Sequence, residues 1–297
     1  MRQPAARALT LAAALSPLAV RADAPGADDG GWSFDPLVVS LIVVPAVLYA
    51  WGLVRAGRAR RAFAPPWRIA CWAGAVVVLW LALLSPLDGL ADASFAWHMG
   101  QHLALMLVAA PLIAASNAHL VVLHVFRVPW RRRLGRFVGA VPGVRAGGHA
   151  RAAPWLAALA FAAGLWLWHA PALYDAALAD ETVHTFEHLT FLITAAVFWR
   201  MVSTVGDRRL DPGSAIVLVT LTGLQGNLMA ALITLAPAPI YAAYRGPDAL
   251  ADQQIAGILM WVPAGLVYLA STGWAIHRLI AAPRRRRCAA TPFNAGV

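Results

Sequence analysis

Seven apolar stretches, each close to the ~20 residues needed to cross the hydrocarbon of a bilayer, leave this chain few ways to fold. They run at about 36–54, 67–87, 96–115, 153–171, 184–203, 213–236 and 254–276. In lipid every backbone N–H and C=O must be satisfied within the chain, so stretches of this length form helices. The chain is 60% hydrophobic and 13% charged, against roughly 25% charged for a soluble domain. The expected fold is all-α: a polytopic membrane helix bundle of about seven transmembrane helices over residues 36–276.

A formal charge of +10 on a soluble protein would suggest nucleic acid as a partner. Here all 24 basic residues are arginine, and they gather at the ends of the apolar runs, as orientation in a membrane requires. Membrane lipid is therefore the expected surroundings, and nucleic acid is excluded. Twenty arginines fall on one side, in the stretches holding Arg55 to Arg68, Arg127 to Arg151, Arg200 to Arg209 and Arg278 to Arg287. The opposite loops, 88–95, 172–183 and 237–253, hold only Arg245. This bias predicts the N-terminus outside and the C-terminus in the cytoplasm.

Residues 1–24 read as a signal peptide, with a basic start, a short apolar core and Ala22-Asp23-Ala24 as cleavage pattern. Arg21 beside that site keeps an uncleaved anchor open. Residues 25–35 form an outer N-terminal segment, and 277–297 a basic cytoplasmic tail. Within the long loop 116–152, the stretch Leu120 to Phe137 reads either as an amphipathic surface helix or as a plain basic connector. Pro45, Pro111 and Pro263 predict kinks, and Gly223, Gly226 and Gly257 close helix packing.

The chemistry lies in the histidines. His98 and His102 open the third apolar run, and His184 and His188 open the fifth with the same spacing. Residues four apart share one helix face, about 6 Å apart along the axis. His169 closes the fourth run. The expected topology puts all five at similar depth near the outer boundary, where polar groups are costly unless paired or functional. One histidine there would read as an interhelical hydrogen bond; a repeated HxxxH with a fifth histidine reads as a metal site. Cys71 and Cys288 form no CxxC pair, so the donors are nitrogen, oxygen or thioether. Imidazole suits zinc, copper and iron. Met99 is soft enough to assist Cu(I), and Glu187 and Asp252 are candidates to orient ring N–H groups.

The outer segments show faint self-similarity. Leu90-Ala91-Asp92, Leu178-Ala179-Asp180 and Leu250-Ala251-Asp252 each follow a proline, a pattern that either a degenerate repeat or alanine-rich chance produces.

His98 to Pro111 (HMGQHLALMLVAAP), Trp166 to Asp175 (WLWHAPALYD), His184 to Trp199 (HTFEHLTFLITAAVFW) and Asp252 to Pro263 (DQQIAGILMWVP) together resemble the CtaG family. The likeness spans residues 36–276. These membrane proteins are implicated in assembling bacterial cytochrome c oxidases of the caa type. The resemblance implies a multi-pass protein of the bacterial plasma (inner) membrane that serves the oxidase's copper centre and is not an enzyme. Its partners would be the oxidase subunit carrying that centre and a periplasmic copper carrier. Copper is the expected ion on the strength of the histidines themselves, with His98, His102, His184 and His188 as its ligands and His169 as a fifth ligand or a hydrogen-bonding support. The rivals are an intramembrane zinc hydrolase, with a zinc-bound water and a carboxylate base, and a bis-histidine haem protein. Histidine pairs on one helix face favour a compact ion over a macrocycle.

Overall fold

The computed structural model describes residues 31–140, 152–203, 210–244 and 246–289. The expected signal peptide lies outside the described residues, as do Arg145, Arg151, Arg208, Arg209, Arg245 and the tail beyond 289. Every regular element among the described residues is helical. Helix α1 spans Pro36–Ala56, α2 Pro66–Leu84, α3 Pro86–Ala93 and α4 Phe95–Leu103. A π-helical segment, Ala104–Ala109, joins α4 to α5 (Ala110–Ser116), and α6 (Ala118–Val122) and α7 (Val128–Ala140) follow. The second half contains α8 (Ala153–Trp168), α9 (Pro171–Ala179), α10 (Glu181–Val202), α11 (Pro212–Leu235) and α12 (Ala249–Ala289).

The starts of these helices follow from local chemistry. Pro36, Pro66, Pro86, Pro171 and Pro212 stand at first helical positions, where the missing N–H is no loss and the fixed φ suits the helix. Asp35, Ser85 and Asp211 cap three of them, their side-chain oxygens accepting from Val38 N (2.8 Å), Leu87 N (3.2 Å) and Ser214 N (3.0 Å). Each such cap is worth about 1 kcal/mol. Pro111 has no N–H for its own turn, and the chain widens into the π segment just before it. The indole N–H of Trp199 on α10 donates to the Met106 carbonyl within that segment at 2.9 Å, tying α10 to the distortion.

Five helical runs are long and apolar enough to cross a membrane: Pro36–Ala62, Pro66–Leu84, Phe95–Ser116, Pro212–Leu235 and Ala249–Ala281. The pair α8 and α9, bent by 75° at its break, makes a sixth if taken as one span. The remaining expected stretch, 184–203, is α10, whose 22 residues rise about 33 Å. His184, Glu187, His188, Thr190 and Thr194 make it less apolar than the others. The protein is a multi-pass membrane protein. Its helices turn large apolar side chains outward, with Leu269 69% and Leu266 63% exposed, the inverse of a soluble surface. In the expected outer loops, α3 and α9 are short helices that the sequence pattern did not disclose. The basic stretch after α6 contains a separate helix, α7, rather than one continuous element over 120–137.

Helices α11 and α12 pack most intimately, and glycine permits it. A Cβ on Gly257 would overlap Thr234 Oγ1 and lie 2.9 Å from Ala230 O. One on Gly223 would lie 2.9 Å from the Tyr268 ring. Small residues let helix backbones approach where lipid offers no hydrophobic drive. Gly257→Ala should therefore lower the midpoint of thermal unfolding in detergent, with a cost of about 1–3 kcal/mol typical of overpacking. Gly273→Ala on the same helix, where a Cβ meets nothing within 4 Å, should leave the midpoint unchanged or raise it. A scanning assay on both variants checks the contrast.

Candidate metal centre

Two helix starts set the depth of the histidines. Ser94 and Asp180 precede α4 and α10 with similar extended backbone, φ −140° and ψ 127° for Ser94, φ −140° and ψ 115° for Asp180. The Asp180 carboxylate accepts from Thr182 N at 2.8 Å and Val183 N at 3.0 Å; the Ser94 hydroxyl accepts from Trp97 N at 3.4 Å. In each helix the first histidine stands four residues after the cap, and its N–H closes the first turn onto the cap carbonyl: His98 onto Ser94 O and His184 onto Asp180 O, both 3.0 Å. The second histidine follows one turn later. Equal distance from equivalent caps brings the two pairs together.

One ring nitrogen from each of His98, His102, His184 and His188 lies within 4.8 Å of the others. His98 Nε2 and His102 Nε2 are 3.0 Å apart. Across the helices the His98 and His184 rings are centred 5.0 Å apart, as are those of His102 and His188. His98, His102 and His188 are buried and His184 partly so. Tautomers follow from the partners. The Tyr244 O–H donates to Ala91 O (3.2 Å) and its oxygen lies 3.3 Å from His98 Nδ1. With Nδ1–H donating to Tyr244, His98 presents a bare Nε2 to the cluster. His102 Nδ1, His184 Nε2 and His188 Nε2 have no hydrogen-bond partner, nor does either oxygen of Glu187. Each unmade bond of this kind costs about 1–3 kcal/mol, so the gathering is expensive unless a cation satisfies it. Convergent, lone-pair-bearing imidazoles are a donor set that fits copper or zinc.

Glu187 is fully buried, with Oε1 3.8 Å from His102 Nε2. His169, at the end of α8, stands beside the four: its ring is centred 6.2 Å from that of His102, and its Nε2 lies 3.4 Å from Met99 Sδ. Asp252, at the start of α12, has its oxygens on the first turn of α4. They accept from Ser94 Oγ (2.8 Å), Phe95 N (2.6 Å) and Ala96 N (3.3 Å). It thus positions the helix that carries His98 and His102.

Several supporting residues had no signal in the sequence. Tyr244 lies 146 residues from the His98 that it touches. Tyr241, in the same segment between α11 and α12, donates its O–H to His169 O at 3.0 Å. Burial raises both phenols above the ordinary tyrosine value, so they serve as neutral hydrogen-bonding groups. Gln101, beside His102, donates to Ala82 O and to Asp88 Oδ1, both at 2.8 Å, joining α2, α3 and α4. One opening reaches the cluster at His188, and a second lies against Tyr241 and Tyr244. An apolar crevice of about 60 Å³ is lined by Leu41, Ile42, Leu79, Leu105 and His188. On the loop side, a cavity of about 400 Å³ is lined by Ile240, Tyr241 and Tyr244 among others.

A family model described as cytochrome c oxidase caa3 assembly factor matches residues 47–282, a range that contains all five histidines and both tyrosines. Neither a curated protein nor a solved structure matches the chain.

The Asp88–Gln101 contact makes the support of α4 sensitive to pH. Burial pushes the Asp88 carboxyl up to about 6; the Gln101 hydrogen bond draws it partly back, and Asp92 and Glu181 add to the rise. The folded chain therefore holds this proton more tightly than the unfolded one, and stability falls as pH rises from about 4 through 6. Asp88→Asn, which keeps an acceptor for Gln101, should flatten that part of the profile and raise stability at pH 7. Unfolding midpoints between pH 4 and 7.5 in detergent check this, and an unchanged slope in the variant would refute it.

Proposed function

Since the chain belongs to the cytochrome c oxidase caa3 assembly factor family, we propose that it matures the oxidase by holding copper among His98, His102, His184 and His188 and passing it to the subunit that carries the copper centre. The observation that carries this reading is the convergence of four imidazole nitrogens within 4.8 Å at matched positions on two helices. Copper stands highest among the divalent first-row ions in affinity for nitrogen donors. A site without thiolate holds Cu(I) less tightly than a cysteine site would, which suits a protein that must release its cargo. Glu187, within 4 Å of His102, offsets the charge of a cation in a poorly screened interior. The role is one of binding and transfer rather than catalysis. A periplasmic copper carrier is the proposed donor.

The proposed topology has seven spans in the bacterial plasma membrane, with α10 and the bent α8–α9 pair included. The N-terminus is outside and the C-terminus cytoplasmic. Arginine placement supports it, and so does the length of α10, enough for a ~30 Å hydrocarbon layer. The polar side chains of α10 face protein rather than lipid: Glu187 and His188 are buried, while Phe186, Ile193 and Val197 are exposed. The histidines then lie near the outer boundary, beneath the segment that carries Tyr241 and Tyr244.

Two measurements test these readings. Single cysteines at Ala93 and Ala179 should react with an impermeant thiol reagent in intact cells, and protection of both would overturn the orientation. His102→Ala/His188→Ala should abolish copper retention and oxidase maturation while the protein stays inserted and abundant. Metal analysis of the extracted protein with an absorption spectrum checks this and separates the alternatives: haem would show a Soret band, and zinc would appear in place of copper. Retained copper with normal oxidase activity in the double variant would refute the proposed site.

A further inference from the structure

The contact between His169 and Met99 calls for a partner that neither side chain supplies. His169 Nδ1 lies 2.8 Å from Leu165 O. A carbonyl only accepts, so Nδ1 carries the hydrogen, and the neutral ring has its lone pair on Nε2. That lone pair faces Met99 Sδ at 3.4 Å, and a thioether has lone pairs of its own and no hydrogen to give. Methionine sulfur usually packs about 5 Å from a ring, often at its edge; here it meets a ring nitrogen instead. Both residues are buried, Met99 at 0% and His169 at 6% exposure. Two electron-pair donors held in contact in an apolar interior are reconciled by a cation between them.

We propose that Met99 Sδ and His169 Nε2 form a sulfur-containing subsite for a soft monovalent cation of the Cu(I) class, adjoining the four-histidine centre. The proposal deepens the copper reading above and rests on it for the identity of the ion. A thioether with an imidazole selects a soft cation over calcium, magnesium or manganese, which prefer oxygen. Met99 lies between His98 and His102 on α4, and the His169 ring is 6.2 Å from that of His102. An ion can therefore pass between the subsites by ligand exchange, with no change in its charge. The tyrosine-bearing segment reaches both: Tyr244 contacts His98, and Tyr241 bonds the backbone of His169.

The experiment uses the full chain in detergent, loaded anaerobically with one equivalent of Cu(I), and reads X-ray absorption at the copper edge together with bound copper. The wild type should show a sulfur scatterer beside nitrogen. Met99→Leu, a volume-conserving swap that cores tolerate, should lose the sulfur and keep nitrogen. Met106→Leu should keep both. In His184→Ala/His188→Ala the sulfur signal should persist and its share per copper should rise, while total copper falls. Copper bound through nitrogen alone in the wild type would overturn the subsite and leave the four-histidine centre standing. Loss of the sulfur signal in His184→Ala/His188→Ala would also overturn it, showing one mixed site. Unchanged copper with sulfur intact in that variant would instead overturn the four-histidine centre and retain the subsite. Failure of the wild type to bind Cu(I) would overturn both.

Discussion

A polar side chain inside this bundle can be satisfied only by another part of the chain or by what the chain binds, because hydrocarbon supplies no hydrogen bonds. Most of the interior obeys that constraint with local pairings. Gln225 accepts from the Trp166 indole at 2.7 Å. Gln101 uses both amide hydrogens, and hydroxyls such as Thr190 and Thr234 bond carbonyls one turn back at 2.8 Å. The histidine cluster departs from it. His102, His184, His188 and Glu187 lie together with ring nitrogens and carboxylate oxygens unpaired. Single unpartnered atoms occur elsewhere, at Tyr49, Gln101, Asn117 and Asn227, but among the described residues only here do several stand together, where one cation would answer them.

Holding such a cluster in place falls to the ends of helices. The α4 start is fixed from outside its own sequence, since the Asp252 carboxylate accepts from Ser94 Oγ and from two amide N–H groups. A carboxylate at a helix N-terminus also complements the positive end of the helix dipole. The α10 start is fixed locally by Asp180. The two caps do the same work by different means, so the histidine pairs share a depth although the chain before each pair differs in length. Pro86 precedes His98 by twelve residues and Pro171 precedes His184 by thirteen. The Leu-Ala-Asp triplets are likewise out of step with the caps: Asp180 is itself a cap, whereas Asp92 lies inside α3.

This explains what could be read from the chain and what could not. The apolar runs and the HxxxH spacing are local properties with a direct physical meaning, and the helices begin within a few residues of where hydropathy places them. Pro111, Gly223 and Gly257 did mark a distorted segment and close packing. The HxxxH spacing set His169 apart from the two pairs, but its contact with Met99 was not legible, because depth alone says nothing of which neighbour a ring meets. Lateral position around the bundle depends on packing angles that no single stretch encodes. For the same reason Tyr241, Tyr244 and Asp88 had no signal: each reaches its partner across an interface between separate elements. Asp252 was visible as a residue near the site, but only the structure gives it a helix end to hold rather than a ring to orient.

The packing of α11 on α12 thereby acquires a bearing on the histidine cluster. Asp252 and Gly257 stand on the same helix, little more than one turn apart. Gly257 lets α12 seat against Thr234 and Ala230 of α11. Between them Gln253 locks the connection, donating to Ile233 O at 3.1 Å and accepting from Ile240 N at 2.7 Å. One turn of α12 thus secures its neighbour, the segment leading to Tyr241 and Tyr244, and through Asp252 the first turn of α4. His98 and His102 stand on the helix next to the one that carries the glycine, and each link between them is a direct contact. Contacts of this kind hold the first turn of α4, and with it His98 and His102, in place from the protein side.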